Sequence, residues 1–390
     1  MVGHPARRPV RLGVVSPERR PPPPGRVFLD AASGEALHPA AREAYAAALE
    51  TSYADPRRLH HEGRAARLLL DHARAVTAEA LGVRPDEVTF TSSGTEAVHR
   101  GLLGLHRGGG RRGDTIAHTA VEHSAVLQAA RWSGAPTRAL PVDHLGRLRL
   151  DEVDTTSATV VACQSANHEV GTIQPVASLA ERAGDVPLLV DAGASAGRLP
   201  LPDGWSAVAA SAHKWGGPAG VGVLVVRRGA RWRHPFPADD RTDPRANGFE
   251  QVPAVLAAAA ALQAVVADRT TENARRHDLV DRIRAVAAAM PETEVVGDPD
   301  DRLPHLVTFS CLYLDGEALV TELDRRGFAV ASGSACTAST LEPSHVLAAM
   351  GALTHGNVRV SVGRDTSAED VERFLSALPV VVSELRERIR

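Results

Sequence analysis

Between Val27 and Val226, short apolar runs alternate with longer alanine-rich stretches whose apolar positions recur at helical spacing. The runs Val27–Asp30, Val88–Thr91, Thr115–Ala117, Ala158–Gln164, Pro187–Val190, Ala207–Ala212 and Val221–Val226 predict strands. Residues 39–50, 61–81, 122–132, 176–183 and the stretch that follows the Ser92–Glu96 turn and runs to about His106 predict helices, and Gly82 is placed to stop the second. Strands interleaved with helices predict an α/β fold with a mostly parallel central sheet covered by helices on both faces. Beyond residue 250 the pattern changes. Residues 254–290 read as largely helical, with short strands near Leu306–Ser310 and Val358–Val362. A last helix is expected from Thr366, where Thr366-Ser367-Ala368-Glu369 has the form of a capping box, and Pro379 is expected to end or kink it. The resulting partition is a large domain over 26–253 and a smaller α+β C-terminal domain over 254–390. Residues 1–25, rich in arginine and proline and lacking the apolar stretch of a signal peptide, read as a disordered tail.

Bulk composition narrows the function classes. A net charge of −3 with 44% hydrophobic and 23% charged residues describes an ordinary globular chain and argues against a nucleic-acid partner. The most apolar stretch, Val252–Ala267, is mainly alanine with Gln263 inside it, too weak for a membrane span. Cys163, Cys311 and Cys336 share no CxxC spacing, which argues against a zinc site or a disulfide framework and suits a reducing cytoplasm.

Candidate chemistry centres on Lys214, the only lysine among 44 basic residues. Guanidinium stays protonated in proteins, whereas an ε-amine can lose its proton and condense with an aldehyde. Lys214 follows a buried-strand pattern and precedes Gly216-Gly217-Pro218, so it belongs to a tight turn at a strand end, beside Ser211 and His213. Strand ends of open α/β sheets are where ligands bind. Ser92-Ser93-Gly94-Thr95-Glu96, between a strand and a helix start, has the makings of an anion site and equally of an ordinary N-cap. Asn167 and Asp191 also stand at strand ends, where a buried aspartate needs a partner or serves as a loop cap. Together, an imine-forming lysine and phosphate-type donors suggest pyridoxal 5′-phosphate. Ala331–Ser339, nine small residues around Cys336, has little side chain to pack and reads as a mobile loop suited to a nucleophilic thiol. Cys163 and Cys311, by contrast, read as space-filling cysteines in strands.

Ordered motifs then give a resemblance over roughly residues 27–380. They are Phe28-Leu29-Asp30, Phe90-Thr91-Ser92-Ser93-Gly94-Thr95-Glu96, Glu122-His123, Asn167-His168-Glu169-Val170-Gly171-Thr172, Val190-Asp191, Ser211-Ala212-His213-Lys214, Ser332-Gly333-Ser334-Ala335-Cys336-Thr337, Leu341-Glu342-Pro343-Ser344 and Arg359-Val360-Ser361-Val362-Gly363-Arg364. In that order they resemble the cysteine desulfurases of the class V aminotransferase group, the NifS/IscS-like enzymes. The resemblance implies a fold-type-I pyridoxal-phosphate transferase, a cytoplasmic homodimer converting L-cysteine to L-alanine. Lys214 would bind the cofactor and move protons at the substrate's Cα. Asp191 would pair with the pyridine nitrogen, His123 would stack on the ring and act in catalysis, and Asn167 would reach the ring hydroxyl and the substrate. Gly94, Thr95, Ser211 and His213 would hold the phosphate. Arg359 would clamp the substrate carboxylate. Cys336 would take the sulfur as a persulfide for an acceptor: an iron–sulfur scaffold, a tRNA-thiolation protein or a biosynthetic carrier.

Three departures accompany the resemblance. Ala194 stands where the family carries glutamine, Ala238 to Asp243 replace a Gly-Gly-Gly-x-Glu segment, and Phe249 stands where threonine usually reaches the partner subunit's phosphate. Two alternatives therefore stay open: another class V enzyme, selenocysteine lyase or epimerase-like, and a non-catalytic scaffold derived from a desulfurase.

Overall fold

The computed structural model describes residues 25–110, 112–237, 243–332 and 343–389. Cys336, the rest of the 333–342 segment and the tail before Gly25 lie outside them.

Seven strands form the large sheet in the order β2-β8-β7-β6-β5-β3-β4: β2 (Val88–Thr91), β3 (Thr115–Thr119), β4 (Thr137–Leu140), β5 (Ala158–Gln164), β6 (Leu188–Asp191), β7 (Ala207–Ser211) and β8 (Gly222–Val226). All neighbours are parallel except β8, which runs antiparallel to both β2 and β7. The fold class expected from alternation is therefore the one found. β5, β7 and β8 are buried along their whole length, which explains why they read as unbroken apolar runs. β4 escapes sequence reading because it is an edge strand in which only Leu140 is fully buried.

Helices α1 (Pro39–Thr51), α2 (His61–Leu81), α3 (Gly94–Gly109), α4 (Ser124–Ser133) and α5 (Val176–Ala183) intervene in the expected order. The region read as one long helical stretch is two helices, α6 (Val252–Ala267) and α7 (Arg269–Ala289), bent by 73° at Asp268. α6 is apolar nearly all round because it is a core helix: Val252, Ala254, Val255, Ala257 and Leu262 join the cluster that buries Val190, Val208 and Trp215 of the large sheet's layer. No single helix among the described residues is long and apolar enough to cross a membrane.

The second core lies under a three-stranded antiparallel sheet, β12-β10-β9, made of β9 (Thr293–Val296), β10 (Leu306–Cys311) and β12 (Asn357–Ser361). Its helices are α7, α8 (Gly316–Arg325) and α10 (Ala368–Ile389), with the short α9 (His345–Met350) alongside. The N-terminal strand β1 (Val27–Phe28) pairs with β11 (Phe328–Ala329), and Val27 and Leu29 pack into this second core. The packing thus corrects the expected partition at both ends. Residues 27–29 side with the C-terminal core, and the 253/254 boundary cuts through α6, which belongs to the first.

Two details of α10 also differ from expectation. Its cap is Ser367 rather than Thr366: the Ser367 hydroxyl accepts from the Asp370 amide at 3.0 Å while the Asp370 carboxylate accepts from the Ser367 amide at 3.0 Å. The helix also continues through Pro379. An interior proline costs about 3 kcal/mol, but Phe374, Leu378, Val381 and Val382 on the same face are buried, each worth about 1.5–3 kcal/mol, so burial outweighs the lost hydrogen bond.

Candidate active site

The parallel strands β3, β5, β6 and β7, with β2 running the same way, deliver their C-terminal ends to one edge of the sheet, and a cavity of about 290 Å³ opens there. Its walls include Gly94, Thr95, His123, Asp191, Ser211, His213, Lys214 and Arg359, so eight positions expected from sequence meet in one place.

Each arrives by a local rule. α3 begins directly after β2, with Ser93 as its N-cap accepting from the Glu96 amide at 3.1 Å. The first amides of a helix lack intrahelical acceptors, and Gly94 and Thr95 line the cavity at that end. A side chain at position 94 has no room: a Cβ there would lie 2.5 Å from Ser211 Cβ, so only glycine lets α3 approach the end of β7. Ser211 Oγ in turn lies 2.9 Å from His213 Nδ1. Lys214 sits in the helical turn Ala212–Trp215, which Gly216 closes in the left-handed conformation at φ 81°, and its Nζ donates to the carbonyl of Ala32.

Asp191 ends β6. Its Oδ1 accepts from the Gly193 amide at 2.8 Å. Burial lifts its pKa above the ordinary aspartate range, opposed by His123, the Gly193 amide and Lys214. His123 caps α4, accepting from the Ala125 amide at 3.1 Å, and burial lowers its pKa below the usual histidine value. The expected small-residue substitution is visible as well: Ala194 lines the cavity.

The opposite wall comes from the ends of the chain. Arg359 of β12 is 5% exposed. Its Nη1 donates to the His168 carbonyl at 3.0 Å, and its Nη2 to Asp30 Oδ1 at 3.0 Å and Ser33 Oγ at 2.7 Å. Its Nε has no hydrogen-bond partner among the described residues. Residues 30–35 act as a strap across this side. Asp30 and Ser33 hold Arg359, Ala32 meets Lys214, and the Glu35 amide donates to the His213 carbonyl at 2.9 Å. The Glu35 carboxylate then anchors the strap to Arg198 at 2.9 Å and Arg276 at 3.3 Å; all three side chains are buried, and burial lowers Arg198 to about 10.

Asn167 is not among the residues that line the cavity. The side chain is fully buried and returned to the backbone: Oδ1 accepts from the Glu169 and Val170 amides at 2.8 and 2.9 Å, and Nδ2 donates to the Val121 carbonyl at 3.1 Å. It holds the turn that presents the next residue. His168 is the one that lines the cavity, its ring 5.0 Å from that of His123 in an edge-on arrangement. Burial, reinforced by His123, Arg359 and Lys214, holds its pKa well below the usual histidine value. Ser33 and Gln164 are further cavity residues not singled out in the sequence. Cys163 and Cys311 are free, buried and in strands, as expected. Cys336 lies outside the described residues. Beyond it, Ser344 Oγ donates to Glu169 Oε2 at 2.6 Å, so the chain re-enters the described structure beside the 167–170 turn.

The residues fit pyridoxal phosphate. An unencumbered cradle of helix amides and a hydroxyl faces a lysine and a buried aspartate across the cavity, and the Gly94–Ser211 approach leaves no space for a side chain that would fill it.

Comparison with known proteins agrees. The family model described as Aminotransferase class-V matches residues 27–374. Cysteine desulfurase IscS of Dictyoglomus turgidum is 32% identical over 375 residues, covering 92% of this chain and 95% of that protein. Cysteine desulfurase NifS of Azotobacter vinelandii is 34% identical over 350 residues, covering 86% and 87%. The IscS-like cysteine desulfurase of Mycobacterium tuberculosis is 35% identical over 383 residues, covering 92% and 97%. A solved NifS-like protein superposes with a TM-score of 0.84 at 27% identity, over 92% of this chain and 100% of its own. The chain belongs to the class V aminotransferases and, within them, to the NifS/IscS-like cysteine desulfurase family.

Proposed function

We propose that the protein is a pyridoxal-5′-phosphate-dependent cysteine desulfurase that converts L-cysteine to L-alanine and carries the sulfur as a persulfide on Cys336. The observation that carries the reading is the meeting of Lys214, Asp191, His123 and the Gly94–Thr95 helix start in one cavity with Arg359 on its far wall. When bound, the cofactor supplies an electron sink that makes the substrate's Cα–H acidic. Gly94, Thr95, Ser211 and His213 would hold its phosphate, Asp191 its ring nitrogen and Lys214 its aldehyde carbon.

The chain's own residues divide the remaining work. Arg359 binds the substrate carboxylate through its open N–H positions, already oriented by Asp30 and Ser33. Lys214 Nζ takes the proton from Cα. The Cys336 thiolate attacks the substrate sulfur: an S–S bond forms, the Cβ–S bond breaks with its electron pair left on the carbon side, Cβ takes up a proton to become the methyl group of alanine, and Lys214 returns a proton to Cα. The thiol proton stays on the transferred sulfur.

We also propose a homodimer. Tyr53, Leu59 and Leu68, on and between α1 and α2, are 73%, 86% and 70% exposed, a degree of apolar exposure that suits a subunit interface. A protein acceptor for the persulfide and a cytoplasmic setting complete the reading, the latter supported by buried, unpaired Cys163 and Cys311.

The experiment is Cys336→Ser. The variant should bind L-cysteine and show the same absorbance changes, yet lose persulfide by mass spectrometry and most alanine release, since a neutral hydroxyl is a far poorer nucleophile at pH 7. Cys163→Ser and Cys311→Ser should leave both intact. Full alanine production by Cys336→Ser would instead support a class V enzyme of the epimerase type.

A further inference from the structure

Glu122, one residue before His123, is fully buried. Its Oε1 accepts from Thr119 Oγ1 at 2.6 Å and from the Gln164 amide at 2.8 Å, while its Oε2 has no hydrogen-bond partner among the described residues. Gln164 lies directly opposite Asp191 in the β5–β6 pairing, so the Glu122 carboxyl is hydrogen-bonded to the strand residue that pairs with Asp191. The titratable groups around Glu122 are Asp191 on β6, Cys163 on β5, His118 on β3, His123 at the start of α4, and His345 of α9, whose Nε2 lies 2.8 Å from the Glu122 carbonyl. No lysine or arginine among the described residues forms an ion pair with it. Asp191, in contrast, has Lys214, His123 and the Gly193 amide to favour its charged form.

A buried carboxylate with no cation and one bare oxygen is strongly disfavoured, and a second anion close by adds to the cost. We propose that Glu122 is a positioning residue that carries a proton at neutral pH, fixes the end of β5 through the Gln164 amide, and leaves Asp191 as the one carboxylate charge under the cofactor ring. The proposal rests on the cofactor reading above for its purpose, although not for its geometry. Burial, the largest cause, pushes Glu122 from 4.5 up to about 8. Because the folded chain holds this proton between about 4.5 and about 8 and the unfolded chain does not, Glu122 makes the fold less stable as pH rises across that window. A glutamine there keeps the Oε1 acceptor and never ionises.

The test compares Glu122→Gln, Glu122→Ala and Asp191→Asn in the full chain, with cofactor and without it. In infrared difference spectra at neutral pH, parent minus Glu122→Gln should show the carbonyl stretch of a protonated acid, and parent minus Asp191→Asn should show carboxylate bands. The stability gained by Glu122→Gln over the parent should grow as pH rises through the window and level off above it. Cofactor affinity should stay within about threefold of the parent in Glu122→Gln and fall about tenfold in Glu122→Ala, which strands the Gln164 amide. An ionised Glu122 in the infrared spectrum, or a pH-independent difference in stability, would overturn the proposal. Failure of the parent to bind cofactor at all would count against the cofactor reading and leave the cofactor-free infrared result to decide the proton on Glu122.

Discussion

The two walls of the cavity are built in different ways. On the cofactor wall, Gly94, His123, Asp191 and Ser211–Lys214 each stand within a residue or two of a strand end or helix start, and all but Lys214, which reaches Ala32, stand beside a bond between close neighbours in sequence: Ser93 to Glu96, His123 to Ala125, Asp191 to Gly193, Ser211 to His213. On the clamp wall, Arg359 is held by Asp30 and Ser33, 329 and 326 positions away. The first wall follows from strand-turn-helix geometry and would form in any correctly wound sheet of this type. The second exists only when the N-terminal strap has closed across the second core. Damage to the first should therefore show in cofactor retention, and damage to the second in substrate handling with the cofactor still in place.

The largest effect expected is on the cofactor wall. Lys214→Ala removes the only lysine, the proposed bond to the aldehyde and the proposed base at Cα, so turnover should fall at least about a thousandfold. The fold should persist, since Lys214 lies in a short turn closed by Gly216. Borohydride reduction followed by peptide mapping checks the premise: the parent should carry the cofactor on Lys214 and the variant nowhere.

Arg359→Lys probes the other wall with charge conserved. A lysine cannot reproduce the fork that reaches the His168 carbonyl, Asp30 and Ser33 at once. Losing one charged hydrogen bond to substrate costs about 1.5–3 kcal/mol, so kcat/KM should fall roughly a hundredfold. Cofactor absorbance and affinity should not change. If they fell together with kcat/KM, the two walls would be one cooperative unit and the comparison would fail.

The same contrast decides what could be read from sequence. The parallel sheet, the Lys214 turn, the α3 helix start and Asp191 were legible because each is a local pattern: an apolar run, a lone lysine before glycines, an acid closing a strand. Arg359 is one of many arginines and nothing beside it marks it out; the family resemblance identified it, but only the β10–β12 pairing and the strap explain its orientation. Asn167 is set back from the cavity wall. Short amides at strand ends commonly turn back to the backbone, and this one satisfies two amides and a carbonyl, leaving His168 to face the cavity. The place of α6 is likewise set by distant contacts. Alanine spacing predicts a helix but not its partner, and α6 belongs to the core it touches rather than to the helix that follows it.

The smallest expected effect sharpens the comparison most. Asp30 bridges the strap, accepting from Arg359 at 3.0 Å and from Ser33 at 2.8 Å, and its side chain is 22% exposed. Asp30→Asn keeps an oxygen acceptor in place and removes only the charge. Because solvent already screens the pair, the loss should be modest, about 1 kcal/mol or about fivefold in KM for L-cysteine. The burial of Arg359 works in the other direction, since a guanidinium left without its counter-charge is less well held. If Asp30 merely stabilises the fold, melting temperature should fall and KM should not. If it orients the clamp, KM should rise while cofactor affinity stays fixed, and Asp30→Ala should exceed Asp30→Asn because it removes the acceptor for both Arg359 and Ser33. A change in cofactor affinity with either variant would mean that the strap, through Ala32 and Lys214, governs both walls.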